Sequence, residues 1–397
     1  MRIALISEHA DPLATIGGVD AGGQNVHVAE LAAALARRGH EVVVHTRRAA
    51  ADEPERVPLG PGVSVEHVPA GPATALPKDE LLPYMPEFAE HLTRRWAVNP
   101  PDVAHAHFWM SGLAALSAAE VTGVPVLQTF HALGTVKRRW QGAADTSPDR
   151  RIAAEADIGR RVHAIVATCT DEVNELLRMG VPGDRITVVP CGVDLGLFRP
   201  EGPAAPRGAR RRVLSLGRMV PRKGVDTVVR AMRHLPDAEL VVVGGEPGDG
   251  EVARLAAMAA AYGMADRVHL IGSVGRAEVP ALMRSADVLV TVPWYEPFGM
   301  VPLEAMACGV PVIASAVGGH LDTVTGCGVL VPPRRPSALT RALRDVLDRP
   351  GLRGSLAAAG LRRARSGYGW PLVAERTEAV YLDVLTGRRA GVAAAGG

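Results

Sequence analysis

The stretch DVLVTVPWYEPFGMVPLEAMACGVPVIAS, residues 287–315, runs between two apolar segments through a loop and a short helical pattern. DVLVTV (287–292) and VPVIAS (310–315) are short and rich in β-branched residues, as fully buried strands are. Pro302 to Ala307 reads as a short helix, with a proline in its first turn and Gly309 just past its end. A strand, a helix and a second strand in this order predict a parallel pair in one sheet, covered on both faces.

The same alternation extends in both directions. RIALIS (2–7), EVVVHT (41–46), VSVEHV (63–68), DVAHAH (102–107), VPVLQTF (124–130), AIVATC (164–169) and RITVV (185–189) read as strands of a first series. Between the first two, residues 22–40 place apolar side chains at 26, 28, 31, 32 and 35, a helical spacing that stops at Gly39. RVLSLGR (212–218), AELVVVGG (238–245), DRVHLIG (266–272) and GVLVPP (328–333) join the opening pair in a second series. The fold class is therefore α/β, with two Rossmann-like domains. Pro, Gly and Arg dominate between the series, so 1–195 is the first domain, 196–212 a linker and 213–366 the second domain. Residues 367–397 read as a closing helix packing back towards the first domain, followed by a frayed tail.

Composition excludes several classes. At +2 net charge in 397 residues, nothing global points to nucleic acid. No apolar run reaches the roughly 18 residues of a membrane span. The N-terminus reads as a strand, not a signal peptide, and Cys169, Cys191, Cys308 and Cys327 form no CxxC. A cytoplasmic protein with reduced thiols is expected. Lysine occurs only at 78, 137 and 223 in an arginine-rich chain, which marks those three as candidates for a compact ammonium.

Ligands of open α/β sheets bind at the carboxyl ends of strands, so the loops after strands carry the chemistry. After 212–217 come Arg218 and Lys223, two cations that suit a diphosphate, or equally a solvated basic turn. After 287–292, Gly299 allows close approach of backbone, and the amides of 299–301 ahead of the short helix make an anion seat. Glu304, inside that helix, would flank the seat and accept from a ribose diol; Glu296, on the loop, would hold sugar hydroxyls. The plain alternative is a helix-start acid and an ordinary loop acid. No DxD and no histidine accompanies the pair in sequence, so no metal is expected there. In the first domain, Gly22 and Gly23 open a helix without GxGxxG spacing, and Gln24 and Asn25 could bind hydroxyls. His131 ends a strand. His105 and His107 share one face of another, a pattern that favours packing over metal binding.

E-P-F-G-x-x-x-x-E at 296–304, G-R-x-x-x-x-K-G at 217–224 and DAGGQN at 20–25 together resemble glycosyltransferase family four over nearly the whole chain. The resemblance implies the GT-B fold, two domains facing across a cleft. It implies a retaining transfer from a nucleotide-diphospho-sugar of UDP, GDP or ADP type, hexosyl or heptosyl, without metal or other cofactor. Arg218 and Lys223 would bind the diphosphate, Glu296 the sugar and Glu304 the ribose. Gly23, Ser273, Phe298, Gly299, Met300 and Val301 complete the donor set, and His131 matches the family's sugar-contacting histidine. Arg218, Lys223, Glu296 and His131 are the expected catalytic group.

DAGGQNV, LPKDELLPYM, HAHFWMSG, TFHALGTVK and DTSPDRRIAAEAD are more narrowly similar to the mycothiol-pathway inositol-phosphate glycosyltransferases and to sucrose-phosphate synthases. A Lys, a Tyr, a Thr and an Arg hold the acceptor phosphate in the mycothiol enzymes. Lys78 matches the Lys and Arg150 or Arg151 the Arg, while Phe108 and Ala132 replace the two hydroxyl donors. Together with Asn25 these form the expected acceptor set. At about 1–3 kcal/mol per lost partner of a buried charged group, inositol phosphate becomes doubtful. Another small polar acceptor, such as a cyclitol, a sugar or a natural-product intermediate, is expected instead. KRRWQG (137–142) reads as a mobile acceptor loop or, less favoured, as a contact to a phosphatidylinositol-type membrane acceptor. A homodimer remains an option. The rival functions are a non-hydrolysing nucleotide-sugar epimerase and a non-catalytic sugar-binding protein.

Overall fold

The computed structural model describes residues 1–14, 22–246 and 248–387. It divides into two compact units, Met1–Pro190 with Trp370–Gly397, and Cys191–Gly369.

The sheet of the first unit comprises β1 (Arg2–Ile6), β2 (Glu41–Arg47), β3 (Arg56–Gly60), β4 (Val63–Val68), β5 (Val103–His107), β6 (Val126–Thr129), β7 (Ala164–Ala167) and β8 (Ile186–Val188). Their order is β3-β4-β2-β1-β5-β6-β7-β8. Every pairing is parallel except that of β3 with β4. Sequence periodicity missed β3. Pro58 lies within it and the register shifts between Pro58 and Gly60, features tolerated only on an edge strand.

Six helices connect these strands: α1 (Gly23–Arg37), α2 (Met85–Val98), α3 (Trp109–Thr122), α4 (Gly134–Gln141), α5 (Arg151–Arg161) and α6 (Thr170–Arg178). Both sheet faces are buried, which is why the strands read as unbroken apolar runs. One face packs Phe88, Leu92 and Trp96 of α2 with Trp109 and Ala115 of α3. The other packs Val28, Leu31 and Leu35 of α1 with Trp370, Val373, Ala374 and Tyr381 from residues 370–385. The last helix of the chain thus supplies core to the first unit.

The second unit has β9 (Arg211–Leu216), β10 (Ala238–Val243), β11 (Val268–Leu270), β12 (Val288–Thr291), β13 (Val312–Ser315) and β14 (Val329–Val331). All pair in parallel, in the order β11-β10-β9-β12-β13-β14. This is the 3-2-1-4-5-6 arrangement of dinucleotide-binding sheets, with its reversal between β9 and β12. Its helices are α7 (Val225–Met232), α8 (Gly250–Ala261), α9 (Val279–Ser285), α10 (Met300–Ala307), α11 (Gly319–Val324), α12 (Pro336–Asp348) and α13 (Pro350–Gly367). The chain then enters α14 (Trp370–Leu385) of the first unit.

Residues 196–212 do not form a free linker. The boundary between units falls after Pro190, and the following segment docks on the second unit. Phe198 is buried in that unit's core. Arg284 donates to the carbonyls of Arg199 and Pro203, and the Ala205 amide to Ala281. Arg207 reaches Asp287 at 2.9 Å, and Arg212 already lies in β9. Arg207 of the segment and Arg284 of the second unit are among the groups that fasten it down.

Tyr381 of α14 lies 2.8 Å from His105 Nδ1 in β5, both fully buried. Replacing Tyr381 by Phe removes one partner and leaves the imidazole nitrogen orphaned. Thermal or denaturant unfolding should show a loss of about 1–3 kcal/mol. An unchanged midpoint would mean that the contact contributes nothing.

Candidate active site

Parallel pairing of β9 with β12 brings two loops together at their carboxyl ends. Residues 217–224 follow β9 and residues 292–299 follow β12. Three contacts bind them. The Trp294 amide donates to the Arg222 carbonyl at 2.8 Å. The Arg222 guanidinium lies over the Tyr295 ring, 5.2 Å from its centre. Lys223 Nζ donates to Glu296 Oε2 at 2.6 Å.

This ion pair sets the electrostatics of the loop. Burial opposes the charge on Glu296, but Lys223, His320 and the hydrogen bond from Lys223 outweigh it and hold the pKa at about 2. Burial pulls Lys223 down from its ordinary value against the attraction of Glu296, and the like charges of Arg222 and Arg218 add to the decrease. Arg218, half-buried, therefore lies within electrostatic reach of Lys223.

His320 is a neighbour that the linear spacing did not reveal. The loop after β13 carries Gly318 and Gly319 against the 296–298 backbone, and the Gly319 amide donates to the Glu296 carbonyl at 2.9 Å. A Cβ on Gly318 would overlap that same carbonyl oxygen, and its φ of +47° independently favours glycine. His320 Nδ1 lies 3.1 Å from the Ser315 carbonyl, which fixes the proton there and leaves Nε2 as the acceptor nitrogen. Burial lowers its pKa, and the nearby Glu296 opposes the decrease.

The predicted short helix is α10, two residues longer at its start than expected. Its cap, Gly299, adopts a left-handed φ of +85°, and a Cβ there would lie 2.9 Å from the His320 ring. Met300 and Val301 provide first-turn amides, which have no partner within a helix, and Pro302 contributes none. Phe298 is buried and Val301 packs partly on the core. Glu304, also buried, accepts from Arg276 at 3.0 Å. Burial raises its pKa and Arg276 opposes the rise. Arg276 also lies over the Phe198 ring at 5.2 Å. Ser273 is exposed after β11 and donates to the Gly245 carbonyl at 3.2 Å.

In the first unit the strand order reverses between β1 and β5. Glu8 and His9 follow β1, and Phe108 follows β5 with a φ of +81°. His9 packs edge-on against the Phe108 ring, 4.8 Å between centres, and His9 Nδ1 lies 2.7 Å from Glu8. Arg151 covers the same ring at 4.9 Å. Its nitrogens donate to Glu155 at 2.7 Å, Ser147 at 3.1 Å and the Ala132 carbonyl at 2.6 Å. Phe108, Ala132 and Arg151 are therefore adjacent, and Glu155 balances the arginine's charge. Arg150 is exposed at the start of α5, and Lys78 is half-buried.

His131, shortly after β6, also has a positive φ, +60°. Its Nε2 is 2.9 Å from His107 Nδ1, with His27 edge-on at 5.1 Å. Burial drives His131 and His107 well below the ordinary histidine range, His27 to about 4 and His105 to about 3. These rings are a neutral, packed group, and His131 presents a neutral imidazole. Asn25 closes the start of α1, accepting from Gly22 and donating to the Asp11 carbonyl, each at 2.9 Å. Gly23 is exposed at that start, while residues 15–21 of the glycine-rich loop lie outside the described residues.

Residues 21–197 match the family model described as Glycosyltransferase Family 4, and residues 203–363 that of Glycosyl transferases group 1. A D-inositol 3-phosphate glycosyltransferase from Xylanimonas cellulosilytica is 40% identical over 406 residues, covering 96% of both chains. A protein of the same name from Kineococcus radiotolerans is 37% identical over 421 residues, covering 98% of this chain and 97% of that one. Among solved structures, sucrose-phosphate synthase from Thermosynechococcus elongatus is 32% identical with a TM-score of 0.89, covering 97% of this chain and 99% of that one.

The chain belongs to glycosyltransferase family 4.

Its two Rossmann-like units are those of the GT-B glycosyltransferases, and the chain is an enzyme that takes its sugar from a nucleotide-sugar. The epimerase and sugar-binding readings are set aside. The glycosyltransferase brings Arg218, Lys223, Glu296 and the Gly299 turn together at one switch point, with Glu304 one helical turn further along. Arg276, His320, Glu8 and His9 are neighbours that sequence reasoning missed. The available signals were a strand end followed by paired glycines (316–320) and by acid and histidine (7–9).

KRRWQG is mostly helix, not a mobile loop, and its cations are paired within the unit. Lys137 lies 3.0 Å from Asp145, Arg138 3.4 Å from Asp149 and Arg139 2.8 Å from Glu175. No described helix is long and apolar enough to cross a membrane.

The buried histidines of this glycosyltransferase link stability to pH. Their folded-state pKa values are depressed, so below about 6.5 the unfolded chain binds more protons and folding weakens. Each such ring removes about 1.4 kcal/mol per pH unit until its folded pKa is reached. Replacing His105 by Gln should flatten the decline of the melting temperature between pH 7 and 5. A decline as steep as in the wild type would refute the assignment.

Proposed function

We propose that the enzyme is a retaining, metal-independent glycosyltransferase that moves a hexosyl- or heptosyl-type residue from a nucleotide-diphospho-sugar to a hydroxyl of a small polar acceptor. The observation that carries this reading is the Lys223–Glu296 pair at 2.6 Å beside Arg218 and the α10 turn. A donor diphosphate would take up the cations and the first-turn amides, which stabilise the charge that develops as the sugar departs. Glu296, low in pKa and therefore ionised, accepts from sugar hydroxyls and orients the ring. Proton transfer from the acceptor would fall to a donor phosphate oxygen on the same face. Glu304 stands where a ribose diol would meet it, with Arg276 as the partner it shares or exchanges. His131 offers a neutral nitrogen to the sugar.

For the acceptor, we favour a cyclitol or sugar that need not carry a phosphate. Phe108 and Ala132 offer no hydroxyl, and the Arg151 charge is already balanced by Glu155. The second reading is inositol phosphate itself, which the names of the relatives favour and which exposed Arg150 and half-buried Lys78 would serve.

Lys223→Ala should lower kcat/KM by about 10²–10³-fold with an unchanged circular dichroism spectrum. Near-wild-type turnover would sink the assignment. Adding Mg²⁺ to chelator-treated enzyme should change kcat less than about twofold, whereas strict dependence on the ion would contradict the metal-independent mechanism. The acceptor is decided by mass spectrometry of products after incubation with inositol or inositol 3-phosphate, following a thermal-shift comparison of UDP, GDP and ADP. If only the phosphate ester is glycosylated, the second reading replaces the first.

A further inference from the structure

At the carboxyl end of the first unit's sheet lies a group that none of these roles uses. Asp11 follows β1, Glu53 lies between β2 and β3, and His67 is the fifth residue of β4. One potential ligand atom from each lies within 4.8 Å of the other two. The histidine decides what the group is for. It is 2% exposed, and its Nδ1 lies 2.7 Å from the Pro54 carbonyl oxygen. A carbonyl only accepts, so Nδ1 carries the proton and Nε2 presents a lone pair. That buried Nε2 has no hydrogen-bond partner. It faces Asp11 Oδ2 across 3.8 Å, beyond hydrogen-bond length, with acceptor against acceptor.

The carboxylates are held in place. Asp11 Oδ1 accepts from the Leu13 amide at 2.8 Å. Glu53 Oε2 accepts from the amides of Ala49 and Ala50 at 2.7 and 3.2 Å. Arg47, at the end of β2, directs its guanidinium to the carbonyls of Pro72 and Thr74 at 2.7 and 2.5 Å. Two anchored carboxylates and an oriented imidazole with an unpartnered Nε2 converge here.

We propose that Asp11, Glu53 and His67 bind one divalent transition-metal ion of zinc type. Ligands at about 2.0–2.2 Å in a tetrahedron are roughly 3.4 Å apart, so His67 and Asp11 at 3.8 Å need a small closure, and the group as a whole, within 4.8 Å, a larger one. An imidazole whose other nitrogen donates to a backbone carbonyl is oriented as metal-bound imidazoles are. Two carboxylates and one neutral nitrogen match a doubly charged ion, and the nitrogen selects against magnesium and calcium, which prefer oxygen alone. Water would complete the coordination. The ion would tie the loops after β1 and β2 to β4. It would also steady the start of α1, since the Asp11 carbonyl accepts from Asn25. None of its three ligands is assigned to donor or acceptor.

The test uses the full chain, stripped of metal by chelator and dialysed. Titration calorimetry with Zn²⁺ should show one site that Asp11→Asn and Glu53→Gln each weaken at least tenfold. Both substitutions keep an oxygen for the backbone amides, so circular dichroism and the melting temperature in chelator should match the wild type. Zn²⁺ should raise the wild-type melting temperature but not that of the variants, and Co²⁺ should give a visible tetrahedral absorption band only in the wild type. Equal Zn²⁺ binding in the wild type and in whichever of the two variants folds, or no binding at micromolar Zn²⁺, would overturn the proposal.

Discussion

Parallel strand pairing puts the carboxyl ends of neighbouring strands on one edge, and each sheet reverses its order beside its first strand. At that reversal the connections leave in opposite directions, and the two flanking loops are left facing a common space. In the second unit those loops carry Arg218, Lys223 and Glu296. In the first they carry Glu8, His9 and Phe108. The topological switch point is the place where such sheets leave a crevice between strand ends.

The electrostatics of these loops share one design. Three cations in or beside these sites already have a carboxylate: Lys223 has Glu296, Arg276 has Glu304 and Arg151 has Glu155. A lone buried charge would be costly, and a pair with good geometry is tolerable. If these cations take the donor phosphate as proposed, that phosphate must compete with a carboxylate already in place. The competition would work against weakly charged or badly placed ligands, and the carboxylate released would then be available to hydroxyl groups.

Much of this was legible in the chain itself, for physical reasons. Strands buried on both faces are unbroken apolar runs, and Glu296, Gly299 and Glu304 lie within nine residues of one another after β12. The missing parts are those assembled across long separations. His320 reaches Glu296 only because Gly318 and Gly319 let two loops touch, and Arg276 reaches Glu304 from the end of a different strand. Asp11, Glu53 and His67 have no spacing to read, since they come from three strand ends. Pro58 hid an edge strand. The segment after Pro190 had the composition of a linker, but arginine serves a docked segment as well as a solvated one when carbonyls and Asp287 are within reach.

The placement of α14 has a consequence for how the protein is made. The second unit is contiguous in the chain, whereas the first lacks Trp370, Val373 and Tyr381 until the second unit has been synthesised. During translation, the amino-terminal half must wait with one face of its sheet only partly covered, while the segment that emerges after it can complete its own core. The part of the protein that begins first is finished last, and its exposed apolar face during that interval is where a chaperone would be needed.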